Sequence, residues 1–230
     1  MHFNIIRYTD NDRSYTDSWI DRYHLDECKP YILRYESREN GYYFDGALAV
    51  NCLMPALKFK LGYTVEKNKL TIDIEYKLAD YVKRFPRFGI KFGVGRELDK
   101  FSYVGYGPYE SYVDKHVASE YGYYESTADD NYDHNYIRPQ ESGNRYLTGY
   151  LSVGDAFEVY ADHPFSFSVT PYTTEQLLKT THSFELPKNE FVNVCLDLAM
   201  RGVGSHSCGP ELQEKYEIQR TGKNSFKLVF

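Results

Sequence analysis

Residues 69–78 read KLTIDIEYKL, with Leu70, Ile72, Ile74, Tyr76 and Leu78 at every second place and Thr71, Asp73, Glu75 and Lys77 between them. A period of two belongs to a strand with one face buried and one in water; a helix needs apolar positions three and four residues apart. The same alternation returns in FGIKFGV (Phe88, Ile90, Phe92, Val94), FSFSV (Phe165, Phe167, Val169), FVNVCLDLA (Val192, Val194, Leu196, Leu198) and Phe226, Leu228 and Phe230 at the end. Each is read as a half-buried strand. Helical signals are few: TDSWIDRYHL near the start, and TTEQLLKTT, where Thr173 followed three residues later by Gln176 has the form of a capping box. Strands separated by loops rich in Gly, Pro, Asn and Asp, without alternating helices, predict an all-β fold, an antiparallel β-sandwich rather than a parallel βαβ sheet.

Composition agrees with that class. The 24 Tyr and 14 Phe against a single Trp are an aromatic excess that favours strands. At 230 residues, with 42% hydrophobic and 26% charged residues, the chain can bury a full core, and no repeat or low-complexity linker divides it, so 1–230 is read as one domain. A net charge of -6 supplies no basic stripe, which argues against nucleic acid and anionic membranes as partners. The beginning, MHFNIIRYTDNDRS, has no apolar signal region, and no run approaches the ~18 residues of a membrane span. A soluble, cytoplasmic chain is expected. Cys28, Cys52, Cys195 and Cys208 show no metal or redox spacing and are expected to be reduced thiols.

Few residues have the arrangement that catalysis needs. A retaining glycosidase requires two carboxylates ~5 Å apart, one with a raised pKa. Glu110 and Asp114 in GPYESYVDK form such a pair on paper, but surface acids in a loop are the better reading, since nothing nearby would desolvate only one of them. In DDNYDHNY, Asp129, Asn131 and Asp133 hold the first, third and fifth places of an EF-hand loop; His134 then replaces the required glycine and Gln140 the required glutamate, so no metal is expected. His182 and His206 could act as acid and base, yet no Ser or Cys stands in a nucleophile elbow. Cys208, in GVGSHSCGPE, is flanked by glycines that would let a ligand approach the backbone. The stretch YIRPQESGNR (136–145) crowds Arg138, Gln140, Glu141, Asn144 and Arg145, all planar hydrogen-bonding side chains, around Pro139 and Gly143. Arg138, Glu141 and Arg145 are expected to satisfy one another there, with the proline and glycine setting the turn.

Six ordered blocks then carry a resemblance: T-D-N-D (9–12), R-F-G-I (87–90), Y-V-G-Y-G-P-Y-E-S-Y-V-D-K (103–115), R-P-Q-E-S-G-N-R (138–145), F-S-F-S-V-T-P-Y-T-T-E-Q-L (165–177) and G-V-G-S-H-S-C-G-P (202–210). Together they resemble the C-terminal domain, or small chain, of the β-galactosidases of glycoside hydrolase family 2. The resemblance implies a galactose-mutarotase-like supersandwich, with both catalytic glutamates on a (β/α)8 barrel that this chain lacks. It implies that the domain packs on that barrel and completes the edge of its active site, through a loop at Gly89 and the turn at Cys208. Some family members stack a sugar on a tryptophan where Cys208 stands, and a thiol offers no such face. Ser111, Val113 and Lys115 replace the family's usual Asn, Pro and Arg; losing the Arg fork is expected to loosen an ion pair. No catalytic residue, cofactor or obligatory metal is expected within the chain. Gly89, Arg138, Glu141, His206 and Cys208 are the residues expected near a β-galactoside. Two other readings stay open: an aldose 1-epimerase using His182 or His206 with Glu141, and a non-catalytic carbohydrate-binding domain.

Overall fold

The computed structural model describes residues 1–9, 12, 18–51, 54–204 and 211–230. Among these residues, twelve antiparallel strands join in one sheet: β1 (His2–Asn4), β2 (Lys29–Arg38), β3 (Gly41–Ala49), β4 (Pro55–Glu66), β5 (Lys69–Leu78), β6 (Arg87–Gly95), β7 (Lys100–Gly107), β8 (Glu120–Thr127), β9 (Arg145–Val153), β10 (Phe157–Thr170), β11 (Phe191–Met200) and β12 (Thr221–Val229). Every segment read from its alternation lies in a strand, apart from Phe230, which falls just beyond β12. The architecture is all-β and antiparallel, as expected.

The sheet curls because β10 forks. Along one edge, Glu158–Ala161 of β10 pairs β12, while Ser166–Thr170 pairs β11. From β12 the path runs through β5, β4 and β3 to β2; from β11 it runs through β6 to β1. The other edge of β10 takes β9, then β7 and β8. A register shift between Tyr160 and Phe165 marks the fork, and Pro164, which has no amide to donate, sits inside it. Asn224 of β12 pins the irregularity: its Oδ1 accepts from the His163 amide at 3.1 Å and its Nδ2 donates to the His163 carbonyl at 3.0 Å.

The core lies inside the curl. Ile72, Ile74, Tyr76 and Leu78 meet Phe88, Ile90, Phe167, Leu196 and Phe226, with the Tyr76 and Phe88 rings 4.6 Å apart. Trp19 is fully buried and donates its indole N–H to the Arg84 carbonyl at 3.1 Å. Of the segment TDSWIDRYHL, the described residues form a π-helical turn, Ser18–Arg22, and enter a 3-10 turn, Leu25–Glu27, after His24 at φ 49°. TTEQLLKTT forms helix α1 (Thr174–Lys179) with the anticipated reciprocal cap between Thr173 and Gln176. No described helix is long and apolar enough to cross a membrane.

One expectation is corrected. FSFSV and FVNVCLDLA are not half-buried: Ser166, Ser168 and Thr170 of β10, and Asn193, Cys195 and Asp197 of β11, are buried as well as the apolar residues between them. A second, polar layer covers this side of the sheet, built from residues 4–9 and 12, the loops around 108–119 and 128–144, and α1.

Candidate functional site

The polar layer is organised by buried arginines. Arg7 reaches Asp12 with both arms of its fork, Nε to Oδ2 at 2.7 Å and Nη2 to Oδ1 at 2.8 Å, and Thr9 Oγ1 donates to the same carboxylate at 2.6 Å. Arg7 also donates to the Arg201 and Gly202 carbonyls, which ties the first block of sequence to the last. Arg87, at the start of β6, is fully buried between two carboxylates: Asp197 of β11 and Glu141. Asn4 Nδ2 donates to Asp197 Oδ1 at 3.0 Å and Thr174 Oγ1 donates to Glu141 Oε2 at 3.1 Å, so β1 and α1 join the same cluster. Burial would lower the pKa of Arg87, but Asp197 and Glu141 outweigh it and hold the guanidinium charged, well above its ordinary value. For Arg7 burial is opposed by Asp12 in the same way.

Beside this cluster lies a polar pocket of about 260 Å³, bordered by Tyr8, Glu110, Tyr112, Lys115, Arg138 and Val203 among others. Tyr112 is buried, donates its hydroxyl to Glu110 Oε1 at 2.9 Å, and is held neutral by burial and by that carboxylate. Lys115 reaches the other oxygen of Glu110 at 2.9 Å through a single, half-exposed contact. Asp114 accepts the backbone amides of Val203 at 3.0 Å and Gly204 at 2.6 Å. It thereby anchors the entry to the glycine-rich block. Ser111 is fully buried: its Oγ accepts from the Tyr146 amide at 2.9 Å, and its carbonyl accepts from Asn144 Nδ2 at 2.7 Å.

The residues singled out from sequence are distributed as follows. Gly89 is not in a loop but inside β6, opposite Asn4 on one side and Asp197 on the other. A Cβ there would overlap the Leu196 carbonyl oxygen and Asp197 Oδ1, so the glycine permits the close strand contact that seats Asp197. Arg138 is exposed at the mouth of the pocket, its guanidinium 5.7 Å from the Tyr8 ring, with no carboxylate partner among the described residues. Glu141 is buried on Arg87 and Thr174. Hence Arg138, Glu141 and Arg145 do not satisfy one another as expected. Arg145 is buried over the Tyr103 ring at 5.7 Å, with Nε and Nη1 lacking an acceptor, and burial lowers its pKa. His206 and Cys208, like Cys52, lie outside the described residues.

The other candidates are also placed. Glu110, Asp114, Glu141 and Asp197 each hold a named donor, so none of them stands as a free acid beside a free base. His182 is half-exposed, 3.4 Å from Glu185 and stacked on Phe184, and is not joined to Glu141. In the EF-hand-like stretch, Asp129 pairs with Lys188 at 2.6 Å, while Asn131 is buried and donates to the Gly143 and Val169 carbonyls, each at 3.0 Å. Among the described residues no three His, Cys, Asp or Glu side chains converge to hold a metal. Sequence reading missed the roles of Arg7, Arg87 and Asp197. The available signal was polar residues recurring on the second face of strands whose first face is wholly apolar.

A β-galactosidase of Actinobacillus pleuropneumoniae is 33% identical over 236 residues, covering 100% of this chain and 23% of that protein. One from Staphylococcus xylosus is 32% identical, covering 96% of the chain and 23% of the protein. One from Kluyveromyces lactis is 28% identical with the same two shares. The chain therefore spans about 23% of the length of the relatives it matches. Among solved structures, a putative aldose 1-epimerase of Escherichia coli K12 overlaps 88% of the chain and 67% of its own, at a TM-score of 0.41 and 8% identity. The family described as β-galactosidase small chain matches residues 1–230 throughout, and the chain belongs to that family.

Proposed function

We propose that residues 1–230 act as one domain of a β-galactosidase, completing an active site whose reacting carboxylates lie elsewhere in the enzyme. The reaction is retaining hydrolysis of a terminal β-D-galactosyl residue. The observation that carries this reading is the commitment of every carboxylate around the pocket to a named donor: the site is built to hold a shape, with Asp114, Arg7 and Glu141 fastening its rim. Arg138, the exposed cation at the mouth, is assigned to the sugar edge. Glu141 and Gly89 position the rim, and the segment containing His206 and Cys208 continues from the anchored Gly204.

The surface for the rest of the enzyme is an apolar groove of about 760 Å³, lined by Phe3, Leu25, Ile32, Phe44, Leu61 and Phe92 among others. It is bordered by β1 and β2, the two ends of the strand path, each paired on one side only among the described residues. Unpaired strand edges beside apolar surface favour addition of a further extended segment.

The test is hydrolysis of nitrophenyl β-galactoside by this chain alone, by the remainder of the enzyme alone, and by the two combined. Activity only on combination is expected. Turnover by this chain alone, in a preparation shown free of host enzyme, would refute the assignment.

A further inference from the structure

The excess of tyrosine has a place in the fold. The inward faces of β7, β8 and β9 carry Phe101, Tyr103, Tyr124, Leu151 and Val153 into the core or against it. Their outward faces carry tyrosine. Register puts Tyr123 of β8 opposite Val104 of β7, Val104 opposite Tyr150 of β9, and Tyr150 opposite Tyr160 of β10. One straight row thus crosses four strands. At a strand spacing of ~4.8 Å it extends about 14 Å, the span of a short oligosaccharide. Tyr121 and Tyr106 form a second rank with Tyr146, the Tyr106 and Tyr146 rings lying 5.9 Å apart and 18° from parallel. Gly149 leaves open the space over which the Tyr121 hydroxyl lies.

The rings are held in place and left uncovered. Tyr123 donates to Glu125 at 3.0 Å, and Tyr150 and Tyr160 both donate to Glu158, at 3.0 and 2.7 Å. Glu125 and Glu158 belong to the neighbouring rank of the same face, with Ser102 and Ser152 between them. Tyr121, Tyr123 and Tyr160 remain 53%, 58% and 40% exposed. Val104 is the short side chain in the row, between Tyr123 and Tyr150. Oriented phenol rings beside a rank of carboxylates and hydroxyls offer apolar faces for sugar C–H groups and acceptors for sugar O–H groups. The carboxylates of Glu125 and Glu158 lie beside the rings and disfavour anionic chains, while Asp162 is paired with Lys227 at 2.7 Å.

We propose that this tyrosine-paved face, formed by β8, β7, β9 and β10, is a binding site for neutral saccharide chains, separate from the polar pocket. It stands whether or not the docking reading above is correct.

The test is native affinity electrophoresis of the 230-residue chain in gels containing a dissolved neutral polysaccharide, β-1,4-galactan or galactomannan, with polygalacturonate as the charged counterpart. Retardation in a neutral gel but not in polygalacturonate is expected. Tyr123→Ala combined with Tyr160→Ala should weaken binding about tenfold, whereas the corresponding pair of Phe substitutions, which keeps both rings, should stay within about threefold. Circular dichroism checks that both variants fold. The proposal is overturned if the unsubstituted chain is not retarded by either neutral polysaccharide, or if the double Ala variant binds equally well. It is also overturned if light scattering shows a dimer that the Ala substitutions dissociate, since the face would then be a contact between copies.

Discussion

Arg87 shows what a single residue does in this molecule. It lies buried between Asp197 and Glu141, and each of the three charges is tolerable only because of the others. Removing the cation strands two carboxylates away from water, while neutralising Glu141 leaves the Arg87–Asp197 pair intact. Arg87→Leu is therefore expected to cost ~3–5 kcal/mol and Glu141→Gln ~1–3 kcal/mol, read from urea unfolding midpoints. If Glu141 positions the rim rather than reacting, Glu141→Gln should leave the kinetics of the complete enzyme nearly unchanged at a temperature where it is folded. Equal costs for the two substitutions would show that the cluster does not share charge as described. Gly89 is tested in the same assay. Gly89→Ala drives a methyl group into the backbone of β11 and the carboxylate of Asp197, and a loss of ~2–4 kcal/mol is expected.

Elements show where sequence was legible and where it was not. KLTIDIEYKL could be read outright because one face of β5 is apolar and the other meets water, so pattern and burial coincide. In β11 the same pattern misleads: Asn193, Cys195 and Asp197 take the places of a solvated face, yet the polar layer covers them. Alternation reports chemistry, not exposure, and a buried polar face has the same signature as a wet one. The cap of α1 was legible because its partners are three residues apart; Thr173→Ala should cost ~1 kcal/mol, seen in the unfolding midpoint. The fork at β10 was not, because it depends on Asn224 reaching His163 across sixty-one positions. The buried face of β11 has a chemical consequence. Burial pushes the Cys195 thiol up to about 11, and burial with Asp26 and Glu27 does the same to Cys28. A thiol raised this far is protonated at pH 8, so iodoacetamide should leave both cysteines unmodified in the native chain and alkylate them once guanidinium unfolds it, as mapped by peptide mass spectrometry. Ready labelling of Cys195 at pH 8 without denaturant would contradict the two-sided burial of β11.

At the scale of the whole molecule, the curl of the sheet brings its two ends to one groove. β2 is exposed at all ten residues, including Ile32 and Leu33, while β1 presents Phe3 to the same groove from the opposite end. Large exposed apolar surface between two open edges is a costly arrangement for a chain acting alone, and it is what a docking surface requires. Ile32 separates folding from docking, because it is half-exposed, lies in an edge strand and lines the groove. Ile32→Asp should leave the unfolding midpoint of this chain within ~0.5 kcal/mol of its original value, as exposed substitutions generally do. When the remainder of the enzyme is added, the same variant should need about tenfold more of this chain to reach half-maximal hydrolysis, because a charge facing an apolar partner is desolvated without compensation. A midpoint that falls with no change in the titration would assign Ile32 to the core. A titration that does not move while folding is intact would place the partner surface away from the groove, and would leave the two open edges to be explained by another contact.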